Sequence, residues 1–173
     1  MIFKVKLLFL LKYLMNMEII KGKSLEKLPF QDDLIRVGDL VYFEGPLLTL
    51  FEDSKSDDLY LYDWADRNDE YNRWLIYLAT PELLWKFIQQ NISYQNFLYT
   101  AINKGFYIVD VNRNLEHHHT KFVEYKDLPA AYQPNEKSYF DEADTAHFNK
   151  IKNFINKYLQ KNSVQSSSRL ANN

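Results

Sequence analysis

Cysteine is absent, which excludes disulfides, thiolate-ligated zinc, iron–sulfur clusters and thiol nucleophiles within this chain. That absence suits a reducing cytoplasm, the compartment expected here. Glycine and proline are scarce, 4 and 5 among 173 residues, whereas there are 13 Tyr and 12 Phe. The balance argues for a packed, sheet-containing domain rather than a disordered chain. Neither sign of charge dominates: 21 Lys and Arg face 23 Asp and Glu, for a net charge of −2. Non-specific nucleic-acid binding draws on a basic excess, so a nucleic-acid partner is not expected. No P-loop, Rossmann fingerprint, nucleophile elbow or zincin motif occurs, and no internal repeat is visible.

Long apolar runs are also missing. The nearest candidate is MIFKVKLLFLLKYLM at residues 1–15, where Lys12 interrupts the apolar stretch. It falls short of the ~20 residues needed to span a bilayer. Its early lysines and apolar centre resemble part of a signal peptide, but no small-residue cleavage site precedes residues 17–20. Two readings are left. The segment docks on the domain as a short helix or strand, or translation starts at Met17 and residues 1–16 are an artefact. The second is preferred.

The length suits one domain, with a core that needs no metal or disulfide. Residues 21–38 read as a polar lead-in with at most a short helical turn. Residues 40–52 hold two β-rich runs broken at Gly45-Pro46, since proline cannot donate to a ladder. In residues 59–64, Leu59 and Leu61 fall on one face and Tyr60, Tyr62 and Trp64 on the other, the pattern of a central strand. Residues 73–79 (RWLIYLA) form the next strand, and the short polar connection favours antiparallel pairing.

The period then changes. Thr80-Pro81 and Ser93 mark two helix starts, with Leu83, Leu84, Phe87 and Ile88 sharing a face of the first and Phe97, Leu98 and Ile102 of the second. Gly105 ends the second helix. Residues 106–111 and 121–125 are strands, joined by a polar loop over residues 112–120. Residues 141–161 read as an amphipathic helix with Asp141, Glu142 and Asp144 at its start and Lys157 and Lys161 at its end, matching the helix dipole.

The fold expected is therefore α+β. It has a mostly antiparallel, meander-like sheet of about five to six strands, a helix pair mid-chain and a C-terminal amphipathic helix. Residues 1–38 are the lead-in, 39–140 the core domain, 141–161 a helix packed on it, and 162–173 a disordered Ser- and Asn-rich tail.

The runs LTLFED (48–53) and LYLYDWADRNDEYNRWLIYLAT (59–80), followed by ELLWKFI, the Ile92-Ser93-Tyr94 helix start, YIVDV and LPAAYQPNEKSYF, form an ordered set of motifs. Over roughly residues 39–140 the chain resembles an uncharacterised family of small bacterial α+β domains of unknown function. The resemblance implies no catalytic residues and no cofactor. It does imply an analogy with accessory components of bacterial defence or toxin–antitoxin systems.

The sharpest catalytic pattern is Asp110 on one strand with Glu124 and Lys126 on the next, their two charged groups on one face. Restriction-type nucleases place an acid, then an acid-x-Lys, on adjacent strands, where the carboxylates hold Mg²⁺ and the lysine activates water. The plainer reading is a strand edge with a cross-strand ion pair. His117, His118 and His119 offer imidazole, yet successive side chains diverge, so an exposed loop is the expectation. Asp63, Asp66, Asp69 and Glu70 cluster around a turn without an EF-hand pattern and read as a solvated connection. Asp63 is expected to face Arg73 across the hairpin. Tyr60, Tyr62, Trp64, Trp74 and Tyr77 read as core or, where exposed, as a protein interface; Tyr132, Tyr139 and Phe140 with Trp64 are the interface candidates. A non-catalytic module acting on a protein partner is the leading expectation, with no cofactor. The Mg²⁺-dependent nuclease is the alternative.

Overall fold

The computed structural model describes residues 19–141 and 145–170. The expectations placed on residues 1–16, on Glu142 and Asp144, and on the last three residues of the tail lie outside the described residues. Seven strands form one antiparallel sheet: β1 (Lys23–Leu25), β2 (Leu34–Tyr42), β3 (Pro46–Asp53), β4 (Leu59–Arg67), β5 (Tyr71–Leu78), β6 (Phe106–Asn112) and β7 (His117–Val123). Their order is β1-β7-β6-β5-β4-β3-β2, so β2 to β7 meander and β1 returns to the far edge. Helices α1 (Pro81–Ile88) and α2 (Tyr94–Ala101) connect β5 to β6, and α3 (Thr145–Leu170) follows the sheet.

The α+β architecture agrees with the sequence, but the sheet gains a strand. Lys23-Ser24-Leu25 carries no alternating pattern. It becomes a strand only because the open edge of β7 pairs Lys23 with Phe122, Ser24 with Lys121 and Leu25 with Thr120. The first half of β2 also falls in the stretch read as lead-in. At the other end, α3 runs on to Leu170, beyond the point where the tail was expected. No Gly or Pro interrupts residues 145–173, so nothing local stops it.

Local chemistry sets the helix starts. The Thr80 side chain accepts from Leu83 N–H with Pro81 in the first turn, and Ser93 accepts from Asn96 N–H. Gly105 sits at φ +100°, and a Cβ there would lie 2.3 Å from the Phe122 ring, so both backbone and space demand glycine. Besides irregularities in the β2–β3 pairing, register shifts at Ala65 in β4 and at His118 in β7 break the regular alternation.

The sheet carries a core on each face. On one, Leu50, Leu61, Leu75 and Ile108 meet Leu84, Phe87, Phe97 and Leu98 of α1 and α2 and Phe148, Ile151 and Ile155 of α3. Gly38 lets α3 close on β2: a Cβ there would be 3.3 Å from Ile151. On the other face Ile76, Val109 and Val111 are covered by Leu28 and Phe30, with Phe30 stacked on Tyr60 at 3.8 Å and edge-on to Tyr107.

Leu28 and Phe30 belong to a strap, residues 26–33, that crosses the sheet from one edge to the other. Six spacings separate β1 from β2, about 29 Å across a flat sheet at ~4.8 Å each. The nine residue steps from Leu25 to Leu34 include a 3₁₀ turn at Gln31–Asp33 and reach only about 26 Å. The sheet therefore curves toward the strap. Among the described residues no helix is long and apolar enough to cross a membrane.

Candidate functional site

The strongest concentration of buried polar chemistry starts at the shift in β4. Trp64 pairs with Trp74, but the next pair is Asp66 with Arg73, leaving Ala65 as the extra residue. A bulge of this kind re-aims side chains. Asp66 thereby joins the helix-side face at 7% exposure, while Asp63 sits opposite Leu75. The expected Asp63–Arg73 pairing is thus replaced by Asp66–Arg73, because alternation cannot anticipate an inserted residue.

Registers then line up Asp66, Arg73, Asp110 and His119 across β4, β5, β6 and β7. Arg73 Nε donates to Asp110 Oδ1 at 2.7 Å and Nη2 to Oδ2 at 2.8 Å, a bidentate pair with both side chains under 10% exposed. Arg73 Nη1 donates to the Tyr132 hydroxyl, 3.2 Å away, and that hydroxyl donates to Asp66 Oδ2 at 3.0 Å. Tyr132 lies in a 3₁₀ turn, Ala130–Tyr132, and closes the row from above. Burial opposes the Arg73 charge, but the hydrogen bond and charge of Asp110 outweigh it, so the guanidinium is held charged more firmly than usual. Burial pushes the Tyr132 phenol up to about 12, against the pull of Arg73.

A second polar knot lies under the helices. Asp63 Oδ2 accepts from the hydroxyls of Tyr77, at 3.1 Å, and Tyr94. Burial, with the Asp63 charge, holds both phenols well above their ordinary range. Tyr94 N–H donates to Ser138 O, Gln95 to Pro134 O and Tyr99 to Gln133, so α2 carries the segment that brings Tyr132 down.

The three histidines stand in β7 rather than in a loop. Asp110 pairs with His119 and Val111 with His117, so His118 is the inserted residue. The bulge overturns the expectation that neighbouring imidazoles diverge. His118 and His119 both flank Tyr71, with ring centroids 5.2 and 5.4 Å away, and their own centroids are 6.4 Å apart. His119 Nδ1 is 3.6 Å from Asp110 Oδ2, and His118 Nε2 is 2.9 Å from Asn112 Nδ2. Tyr71 also lines a shallow depression of about 190 Å³ with Arg67, Asn72, Arg113 and the turn residues Asp69 and Glu70.

The structure does not bring Asp110, Glu124 and Lys126 together. Asp110 is engaged by Arg73, whereas Glu124 and Lys126 are exposed and pair with each other at 2.7 Å. Asp110 faces His119, five residues before Glu124, or about 17 Å along an extended strand. Among the described residues no three His, Asp or Glu side chains are grouped to hold a metal ion. The acidic cluster also divides: Asp63 and Asp66 are interior, and Asp69 lies in the turn after β4. Of the interface candidates, Tyr132 and Phe140 turn inward, Phe140 against Phe87 and Phe148, while Tyr139 is 54% exposed.

Trp64 is half-buried on the strap face, where its Nε1–H donates to Asn72 Oδ1 at 3.3 Å. Its neighbours Trp74 and Tyr62, and Phe51 tilted against Tyr62 at 4.6 Å, are half-buried too. Tyr77, by contrast, is core at 1% exposure. The polar row itself escaped sequence reasoning. Its available signals were an arginine opening RWLIYLA and an aspartate inside FYIVDV, lone opposite charges in apolar strands.

His117 gives a test by pH. Its Nδ1 is buried and has no hydrogen-bond partner among the described residues, and burial lowers its pKa below the ordinary 6.5. A base whose folded pKa is depressed stabilises the fold above its unfolded pKa and loses that contribution as pH falls through the folded value. Stability should therefore decline as pH falls below about 6.5, and His117→Gln should flatten that limb in urea midpoints taken across the acid range. No family model matches the chain, and no match emerged among curated proteins or solved structures.

Proposed function

We propose that the protein is a non-catalytic binding module that holds a protein partner on the strap side of its sheet. One observation carries the reading. Among the described residues, Tyr62, Trp64 and Trp74, with Phe51 beside them, stand half-buried next to the strap with no helix layer over them. Tyr and Trp supply large rigid contact area with a polar tip, which is why they dominate binding hot spots. The interior carboxylates are engaged: Asp110 by Arg73, and Asp63 and Asp66 by tyrosine hydroxyls. That chemistry fixes a scaffold and leaves recognition to the outer face. By analogy with the small bacterial α+β domains that the sequence resembles, the role we propose is that of an accessory component of a defence or toxin–antitoxin assembly, inside the cytoplasm.

The test is affinity capture from the native host with wild type and with Tyr62→Ala/Trp74→Ala. Removing two hot-spot aromatics should weaken capture by roughly 30-fold or more, while the folded spectrum is kept. If the double variant retains the same partner at the same affinity, the partner binds elsewhere and the reading fails.

A further inference from the structure

We propose that the partner engages the strap side with a proline-rich segment in the polyproline II conformation. The inference rests on the reading that a protein is held on this face, and it adds the chemistry of what is held. Sheet register sets the floor. Tyr62 opposes Ile76, two residues beyond Trp74 on β5, so Tyr62 and Trp74 are diagonal neighbours on one face, about 7–8 Å apart. Trp64 opposes Trp74, and Phe51 leans on Tyr62. Among the described residues no ring contact ties Trp74 to Tyr62 or Trp64, so gaps remain between these ridges.

The hydrogen-bonding groups beside the rings are lopsided. Their acceptors are taken: Asn72 Oδ1 by Trp64 Nε1–H at 3.3 Å, Asp39 Oδ1 by the Thr49 hydroxyl at 2.7 Å and Asp39 Oδ2 by Arg36 at 2.5 Å. Thr49 opposes Tyr62, which puts this pair on the same face. The donors are unspent. No described residue accepts from Trp74 Nε1–H or from the Tyr62 hydroxyl, and neither atom is sealed in the interior. Such a face suits a ligand that offers carbonyls and brings no N–H to satisfy. A helix spends its carbonyls internally, and an ordinary strand carries an N–H for every C=O. A proline run has carbonyls alone, and its polyproline II backbone makes no internal hydrogen bonds. At a rise of ~3.1 Å per residue, carbonyls two or three residues apart lie roughly 6–9 Å from one another, the reach between the two donors. Pyrrolidine rings then fill the gaps between the aromatic ridges, and the preformed chain loses little entropy on docking.

The experiment titrates capped decaproline into the full chain and follows the indole N–H signals by NMR. Saturable movement of the Trp74 signal is expected, with Trp85, which packs in the helix-side core, unmoved. Trp74→Ala should weaken binding about tenfold or more. Tyr62→Phe keeps the ring and removes the donor, so a loss of about two- to tenfold is expected. Tyr139→Ala, which removes an exposed ring beside the helix-side residue Phe140, should change nothing. A glycine–serine peptide of equal length has the carbonyls without the rings and should not saturate. The inference is overturned if decaproline gives no saturable shift, if the glycine–serine peptide binds as tightly, or if Tyr62→Phe and Trp74→Ala both bind like wild type. If decaproline fails while Tyr62→Ala/Trp74→Ala still abolishes partner capture, the face is right and the segment is wrong. If capture survives as well, both readings fall.

Discussion

Replacing Arg73 by alanine should destabilise the protein by about 3–5 kcal/mol, read as a shift in urea midpoint. The size follows from what remains. Asp110 is 4% exposed and takes both its short guanidinium bonds from Arg73. Without that partner a carboxylate is left in an apolar setting, and the Tyr132 hydroxyl loses the donor beside it. Asp110→Asn should cost less, because the amide bears no charge. A paired replacement, Arg73→Met with Asp110→Leu, should recover most of the loss, since apolar groups of similar volume need no ionic compensation. If the single and double variants are equally unstable, the row contributes packing rather than charge pairing.

Removing residues 141–173 should abolish cooperative unfolding. Phe148, Ile151 and Ile155 are each at most 4% exposed against the helix-side core. Burying side chains of this size is worth ~1.5–3 kcal/mol each, about 5–9 kcal/mol together. That rivals the entire ~5–15 kcal/mol stability of a typical domain. Tyr158 adds a latch, its hydroxyl 2.8 Å from Glu52 Oε1 across to β3. The measurement is a thermal melt of the truncated chain. A sharp melt near the full-length temperature, with partner capture lost, would recast α3 as the docking element and not the seal.

Features governed by neighbouring residues were legible in the sequence. Thr80 and Ser93 announce their helices because a hydroxyl three positions before an amide is a local solution. The two faces of β4 follow from alternation up to Asp63. Beyond it, the reading fails at Ala65, and again at His118, because a bulge is set by two strands together and one strand's pattern does not contain it. The central ion pair was missed for a similar reason: Arg73 and Asp110 are 37 residues apart, and only sheet register joins them. β1 was missed because its three residues are recruited by β7 and carry no strand preference of their own.

The return of β1 to β7 sets the order in which the molecule can be made. During synthesis the first strand emerges almost one hundred residues before the edge that receives it (Leu25 meets Thr120). Until then Leu28 and Phe30, both interior in the finished fold, have no completed surface to cover. Long-range closure of this kind is slow and leaves greasy chain in contact with water. The nascent protein is therefore most vulnerable to aggregation just before its seventh strand clears the ribosome, and holdase chaperones should engage it in that interval.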